Sequence, residues 1–189
     1  MQPHEIARAI WGDPFAVTLV PRGYMHATAD ALLGEDGGHP RIFLRDGVSA
    51  SRGRFLVAHE LSHHLLRHIG MDTGGDEIEE ARANFLGACL LSPRSAYRAA
   101  VEEFNDDFRQ IAARFKAPES CMVLRYGEVT DRPIVLVKPK TIRRRGTPVD
   151  PSAWLPDSVL AGWAWQGTTD PRVRRQHLTD CRGVAISRA

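Results

Sequence analysis

The sequence His59-Glu60-Leu61-Ser62-His63 lies in the middle of residues 52 to 68, RGRFLVAHELSHHLLRH. On an α-helix, residues four apart lie on one face, so the two histidines of this HExxH motif can reach a single metal ion. Glu60 would then lie beside that ion, where it can take a proton from a water molecule that the metal activates. The spacing is typical of a zinc metallopeptidase.

The segment around the motif is predicted to be one buried helix. It contains no proline and a single glycine near its start, and Val57, Leu61 and Leu65 form an apolar stripe at helical spacing. Histidines inside such a helix need polar partners, since an unpaired buried polar group is costly. A metal ion would supply one, and hydrogen bonds to backbone or carboxylate groups are the alternative. His64 and His68 are also four apart but on another face, where we expect solvent.

A second helix is predicted for residues 76 to 92, DEIEEARANFLGACLLS. The glycine-rich residues 70 to 75 precede it and should end the first helix. Acidic residues occupy its first turn, where the helix dipole favours them, and Pro93 follows its end.

The third metal ligand is expected on this second helix, because zinc in hydrolases usually takes three protein ligands. Glu80 shares a face with residues that are small or polar, namely Ala83, Asn84 and Gly87. Such a face would pack closely against the first helix and place the Glu80 carboxylate at the metal. Glu77, one turn earlier on nearly the same face, and Glu79 are rival ligands that spacing alone does not exclude.

Two blocks of the chain resemble the ImmA/IrrE zinc metallopeptidases. The first is residues 54 to 63, RFLVAHELSH, which is similar to that family's RFxxAHELxH. The second runs from Glu80 through Ala83-Asn84 to Leu90-Leu91-Ser92-Pro93 and is similar to ExxAN…LLMP. Ser92 stands where the family usually has methionine. The resemblance covers roughly residues 40 to 95.

The resemblance implies that His59, His63 and Glu80 bind Zn²⁺ and that Glu60 is the general base. It selects Glu80 over the two rival glutamates. As substrate it implies a helix-turn-helix (XRE-type) transcriptional repressor, whose cleavage derepresses stress-response or mobile-element genes.

Other site residues are less well defined by the sequence. Zinc hydrolases often add a side chain that stabilises the oxyanion, and Tyr97, Tyr126 and His177 are equal candidates. Cys121 or Cys181 could occupy the open zinc position and hold the enzyme inactive, although a free thiol is the usual state of such a cysteine.

Composition is that of an ordinary globular protein, with 43% apolar and 25% charged residues among 189. No apolar run reaches the ~18 residues that span a bilayer, and no basic-then-apolar leader begins the chain, so we expect a cytoplasmic protein without membrane contact. The net charge of +2 is too small to imply nucleic-acid binding. Between Arg132 and Val149, however, the chain has six basic residues and no acid, typical of a solvated connection or a phosphate-binding patch.

The pattern predicts an α+β peptidase domain, residues 1 to 128. Strands are expected at residues 15 to 20 and 41 to 45, with helices at residues 3 to 11 and 28 to 33. They would form a small mixed or antiparallel sheet packed on the HExxH helix and the second, ligand-bearing helix. An edge strand beside the cleft can hold an extended substrate chain, and residues 41 to 45 are the candidate for it.

Residues 94 to 127 are helical in pattern and contain a helix-turn-helix-like segment at residues 108 to 125. Its helices would either read DNA or cover the peptidase core. Residues 129 to 189 are predicted to be an extension of unknown role, with strands at residues 134 to 137 and 184 to 187.

Two functions compete with proteolysis on this evidence. One is a DNA-binding regulator with a structural or inactive zinc site, suggested by the helix-turn-helix-like segment and the basic run. The other is an interaction partner that sequesters its target without cutting it.

Overall fold

The computed structural model describes residue 5, residues 16–26, 29–71 and 77–130, and the backbone of three further strands. In these parts of the chain a three-stranded sheet is followed by five α-helices, so the predicted α+β class is confirmed. The helix predicted at residues 3 to 11 lies almost entirely outside the described residues, and the basic run after Arg132 lies largely outside them.

The first sheet contains β1 (Ala16–Val20), β2 (Ala31–Asp36) and β3 (His39–Arg45). Strand β3 lies in the middle, parallel to β1 and antiparallel to β2. Gly37 and Gly38 connect β2 to β3 with φ of +59° and +80°. Two positive φ angles are what this two-residue hairpin turn requires, and glycine adopts them without strain.

Strand order corrects two expectations from the sequence. The prediction that residues 41 to 45 form an edge strand is wrong, because β1 and β2 pair with the two sides of β3. The described strand with a free edge beside the helices is β2.

The helix predicted at residues 28 to 33 is also wrong for the residues of it that the structure describes, because Ala31–Leu33 begin β2. Leu33 packs inward near Ile42, whereas Leu32 is 55% exposed, which is the alternation of a strand. Pairing with β3 outweighs the helix propensity of alanine and leucine.

Five α-helices follow the sheet. They are α1 (Ala50–His68), α2 (Glu77–Leu91), α3 (Arg94–Glu103), α4 (Phe108–Phe115) and α5 (Glu119–Thr130). None of the helices in the described part of the chain is both long and apolar enough to cross a membrane.

Helix α1 has a defined start and end. Ser49 caps its first turn, accepting a hydrogen bond from the Arg52 N–H at 3.4 Å. At the other end Gly70 adopts φ +71° and donates to the Arg67 carbonyl, and Met71 donates to the Leu66 carbonyl. This pair of bonds is the Schellman arrangement that ends a helix at glycine, as the sequence predicts for residue 70.

Two groups of buried side chains hold α1 in place. Ile42 from the sheet packs with Val57 and Leu61 on one side of the helix. The larger group joins α1 and α2 to the three later helices, and its biggest members are Tyr97, Phe108, Ile111, Met122 and Tyr126. The motif helix is therefore fixed between the sheet and the helical core.

A second sheet, order β4-β6-β5, is antiparallel throughout. Its strands are β4 (Ile134–Val137), β5 (Val173–His177) and β6 (Val184–Arg188). Strands β4 and β6 are as predicted, whereas β5 was not recognised in the sequence.

Candidate metal centre

Helix α1 brings the two histidines of the motif together. His59 Nε2 and His63 Nε2 lie 3.2 Å apart, and each side chain is 12% exposed. A neutral imidazole nitrogen that carries no proton is an electron-pair donor, so two of them at this distance need a proton or a cation between them. The pair is thus suited to bind a cation.

Helix α2 packs on α1 with almost no space between their backbones. A Cβ added at Gly87 would lie 3.2 Å from His59 N and 3.3 Å from the carbonyl carbon of Ala58. Ala83, one turn earlier, is fully buried. The small face predicted from the sequence therefore does allow close packing, and the contact falls at the first histidine of the motif.

This packing places Glu80 at both imidazoles. Its Oε2 lies 3.4 Å from His59 Nε2 and its Oε1 lies 3.4 Å from His63 Nε2. The Glu80 side chain is 54% exposed, whereas the two rings are largely buried. The cluster is consequently closed by the histidines and open on the side of the carboxylate.

The three side chains fit a zinc ion. Four ligands at about 2.0–2.1 Å in a tetrahedron lie about 3.3 Å from one another, and the distances here are 3.2, 3.4 and 3.4 Å. Two imidazoles and one carboxylate are a donor set that zinc uses in hydrolases, with the fourth position open. Burial, and then the neighbouring His63, lower the pKa of His59, which favours the neutral ring that binds metal.

The three acids of the first α2 turn have different surroundings. Glu80 faces the Nε2 atoms, Glu77 is exposed, and Glu79 is buried with its Oε1 3.2 Å from His63 Nδ1. The structure thus brings together the three candidate ligands that the family resemblance selected, and Glu77 is not part of this group. The contact between Glu79 and the outer nitrogen of His63 was not foreseen.

Glu60 follows His59 on α1, and its side chain reaches from the cluster toward the sheet. Its Oε2 accepts a hydrogen bond from the backbone N–H of Leu33 in β2, at 3.0 Å. Burial raises the pKa of the Glu60 carboxyl, although His63 and the Leu33 amide act in the opposite direction. The carboxylate is thus held by a strand, whereas the metal ligands are brought together by a second helix.

The oxyanion candidates are not beside this cluster in the described residues. Tyr97 and Tyr126 are fully buried in the helical core, and the Tyr97 hydroxyl donates to the Met122 carbonyl. A side chain that stabilises an oxyanion must face the open position, so this burial favours a packing role for both tyrosines. His177 ends strand β5, where only the backbone is described.

His64 and Cys121 are described residues and are not part of the cluster. His64 is on another face of α1, where burial lowers its pKa and Glu35 interacts with it. Cys121 is buried in the helical core, and Cys181 lies outside the described residues. In the described part of the chain, His59, His63 and Glu80 form the one group of three that could hold a metal ion.

Comparison with protein families places most of the described chain in one family. Residues 19–126, more than half of the 189-residue chain, match the family model Peptidase_M78, the IrrE N-terminal-like domain. The chain belongs to the Peptidase_M78 family. Membership supports a metallopeptidase-like protein with a protease fold, and the ImmA/IrrE resemblance is confirmed. No curated protein matches the chain significantly.

Among solved structures, the chain is similar to a Mycobacterium tuberculosis transcriptional regulator. The two share 14% sequence identity and a TM-score of 0.51, over 74% of this chain and 46% of that one. At this identity the likeness concerns the fold alone. The chain spans less than half the length of that protein.

Proposed function

We propose that this protein is a zinc-dependent endopeptidase that cleaves a helix-turn-helix transcriptional repressor. The observation that carries the proposal is the convergence of His59, His63 and Glu80, with distances of 3.2–3.4 Å between their ligand atoms. Glu60 is held at the neighbouring position of the same helix. Family membership supports the peptidase class, and the repressor substrate rests on the resemblance to ImmA/IrrE proteins.

In this proposal His59, His63 and Glu80 hold the zinc ion. The metal would supply Lewis acidity, lowering the pKa of a water molecule and polarising the scissile carbonyl. Gly87 contributes indirectly, because its lack of a side chain allows α2 to approach the backbone of His59.

Glu60 is the general base. The Leu33 amide binds its Oε2, which leaves Oε1 to accept the proton of the attacking water and then deliver it to the leaving amine. Burial raises the pKa of this carboxyl, and a raised pKa makes the carboxylate a stronger base toward the proton of the water.

Strand β2 is the proposed binding edge for the substrate. The Arg45 N–H donates to the Asp30 carbonyl, which fixes the residues whose backbone groups bond between β2 and β3. These backbone groups alternate along an antiparallel strand. The N–H and C=O groups of Ala31, Leu33 and Glu35 therefore face the free edge. The Leu33 amide already holds Glu60. The backbone groups of Ala31 and Glu35 are available to pair with an extended peptide, and this pairing would place a backbone carbonyl of the peptide next to Glu60.

The proposal is tested by co-expression with the helix-turn-helix repressor encoded nearest the gene. On a gel, wild type should cut the repressor, whereas Glu60→Gln should reduce cleavage by about 100- to 10,000-fold, since the amide cannot accept the proton. The same variant should retain zinc, because Glu60 is not a ligand. Rapid cleavage by Glu60→Gln would exclude Glu60 as the base.

Glu80→Ala tests the ligand set separately. It removes one of three protein ligands, so zinc content measured on the purified protein should fall together with cleavage. Glu77→Ala is the matched control, since it removes an exposed acid from the same helical turn and should keep both. Full zinc occupancy in Glu80→Ala would show that another residue is the third ligand.

The helix-turn-helix-like segment does not favour the DNA-binding alternative. Helix α5 would be the reading helix, yet the one residue it exposes strongly among those described is Leu124, while Met122, Val123 and Tyr126 are fully buried. A helix that reads DNA needs an exposed polar face. The segment instead forms part of the core that supports α1 and α2.

A further inference from the structure

Glu79 is a buried carboxylate next to the candidate metal ligands. Its residue exposure is 3%, whereas the side chain of the adjacent Glu80 is 54% exposed. Taking a carboxylate out of water costs several kcal/mol unless charged or hydrogen-bonding groups compensate for it. A buried acid at this place therefore needs a specific partner.

His63 provides a partner on the side of the ring that faces away from Glu80. Glu79 Oε1 lies 3.2 Å from His63 Nδ1, while Nε2 of the same ring lies 3.4 Å from Glu80 Oε1. An ionised carboxylate only accepts hydrogen bonds, so the proton between Glu79 and His63 must be on Nδ1. In a neutral imidazole, Nε2 then carries the free electron pair.

We infer that Glu79 is a positioning residue: its carboxylate holds His63 in the Nδ1–H tautomer and orientation that present Nε2 to the metal. The inference rests on the proposed zinc site and adds a residue to it. A carboxylate on the outer nitrogen of a histidine ligand fixes the ring, raises its basicity and strengthens metal binding, typically by 10- to 100-fold.

The other histidine lacks a carboxylate on its outer nitrogen. His59 Nδ1 is buried and has no hydrogen-bond partner among the described residues, although the Asn84 side chain interacts with the His59 ring. The two rings are therefore held differently, and a buried acid contacts the outer nitrogen of His63 alone. Loss of Glu79 should remove that contact and leave the surroundings of His59 unchanged.

A charge at the start of a helix is the competing explanation of Glu79. An acid in the first turn interacts favourably with the helix dipole, whichever side chain it faces. Glu77 lies two residues earlier in the same turn and is exposed. Equivalent substitutions at positions 77 and 79 therefore separate the general charge effect from the contact with His63.

Zinc affinity is the first measurement, made on the full chain by competition with a chromophoric chelator. Glu79→Ala should bind zinc about 10- to 100-fold more weakly than wild type. Glu79→Gln keeps an oxygen that can accept the Nδ1–H bond, so its loss should be smaller, and Glu77→Ala should match wild type. Equal zinc affinity of Glu79→Ala and Glu77→Ala would overturn the inference.

The second measurement needs no metal. Nitrogen NMR of the metal-free protein reports which nitrogen of the neutral His63 ring carries the proton. Wild type and Glu77→Ala should show the Nδ1–H tautomer, and Glu79→Ala should lose it. An Nε2–H tautomer in wild type would contradict the inference. A wild type that binds no zinc would defeat the proposed function, while the tautomer still decides whether Glu79 orients His63.

Discussion

Helix α1 contacts different kinds of structure on its two sides. On one side the backbone of α2 comes within van der Waals distance at Gly87, and this contact sets where Glu80 meets His59. Toward the sheet, the Leu33 amide of edge strand β2 donates a hydrogen bond to Glu60, and the Leu33 side chain packs with the group that contains Val57 and Leu61. The proposed metal ligands thus depend on steric contact between helices, whereas the proposed base is oriented by a directional hydrogen bond.

This difference separates metal binding from proton transfer. A tetrahedral site tolerates only small changes in the distances between ligand atoms, so the ligand side requires a rigid contact. A general base needs the correct orientation and pKa, which a hydrogen bond can supply without close packing. Substitutions where α2 contacts α1 should therefore lower zinc affinity. Substitutions where β2 contacts α1 should lower the rate of cleavage and leave zinc affinity unchanged.

The largest effect is expected from Gly87→Val, which breaks the ligand side. The added side chain would meet the backbone of α1 at His59 and force the helices apart, at a cost of about 1–3 kcal/mol in the free energy of unfolding. Both zinc binding and cleavage should be lost, as measured by metal analysis and gel assay.

Ala81→Val is the control for Gly87→Val. It places the same β-branched residue on the exposed face of the same helix, where it lowers helix propensity but meets no neighbouring backbone. It should retain zinc. If Gly87→Val kept wild-type zinc affinity, the close approach of the helices would not be needed for the ligand set.

Leu33→Pro tests the base side with a smaller expected effect. Proline removes the N–H that binds Glu60 but no hydrogen bond between β2 and β3, because the Leu33 amide faces the free edge. Loss of one bond to a charged group should lower kcat by about tenfold, with zinc affinity unchanged. Leu33→Ala loses most of the partly buried side chain but keeps the amide, so it should cleave faster than Leu33→Pro.

Asp107→Ala, remote from both sides, should have the smallest effect. Asp107 Oδ1 accepts hydrogen bonds from the N–H groups of Arg109 and Gln110 at the start of α4. Its loss should cost about 1 kcal/mol in thermal or urea unfolding and leave zinc and cleavage unchanged. A loss of zinc affinity as large as that of Gly87→Val would mean that the proposed metal site depends on the distant helix α4.

The pH dependence of Asp107→Ala has a defined sign. Hydrogen bonds, first from the Gln110 side chain and also from the backbone, lower the pKa of Asp107. A lowered pKa means that the carboxylate stabilises the fold above the ordinary aspartate pKa of about 3.9, and that this contribution is lost as pH falls. The difference in stability between wild type and Asp107→Ala should therefore shrink on acidification below about pH 4.

The ligand side was largely predictable from the sequence. Histidines four apart must share a helix face, and the small residues around Gly87 indicate where a second helix can approach. Spacing left three acids open, and the family resemblance was needed to select Glu80. The burial of Glu79 could not be foreseen, because three acids in one helical turn look alike until the packing partner is known.

The contact that holds Glu60 was not predictable from the sequence, although Glu60 itself was. The group that holds Glu60 is a backbone amide, so no side chain in the sequence marks it. Strand β2 itself was missed, because Ala31-Leu32-Leu33 contains no β-branched residue and resembles a helix start. Pairing with β3, a contact distant in sequence, decides its structure.

The Schellman end of α1 at Gly70 also bears on the order of folding. It reverses the chain soon after the motif, so the contact between His63 and Glu79 spans only 16 positions, against 27 for the bond between Leu33 and Glu60. Short loops close with less loss of chain entropy, and local contacts form sooner. A partly folded chain would then bring the proposed metal ligands together before the sheet orients the Glu60 carboxylate, a state expected to bind zinc without cutting.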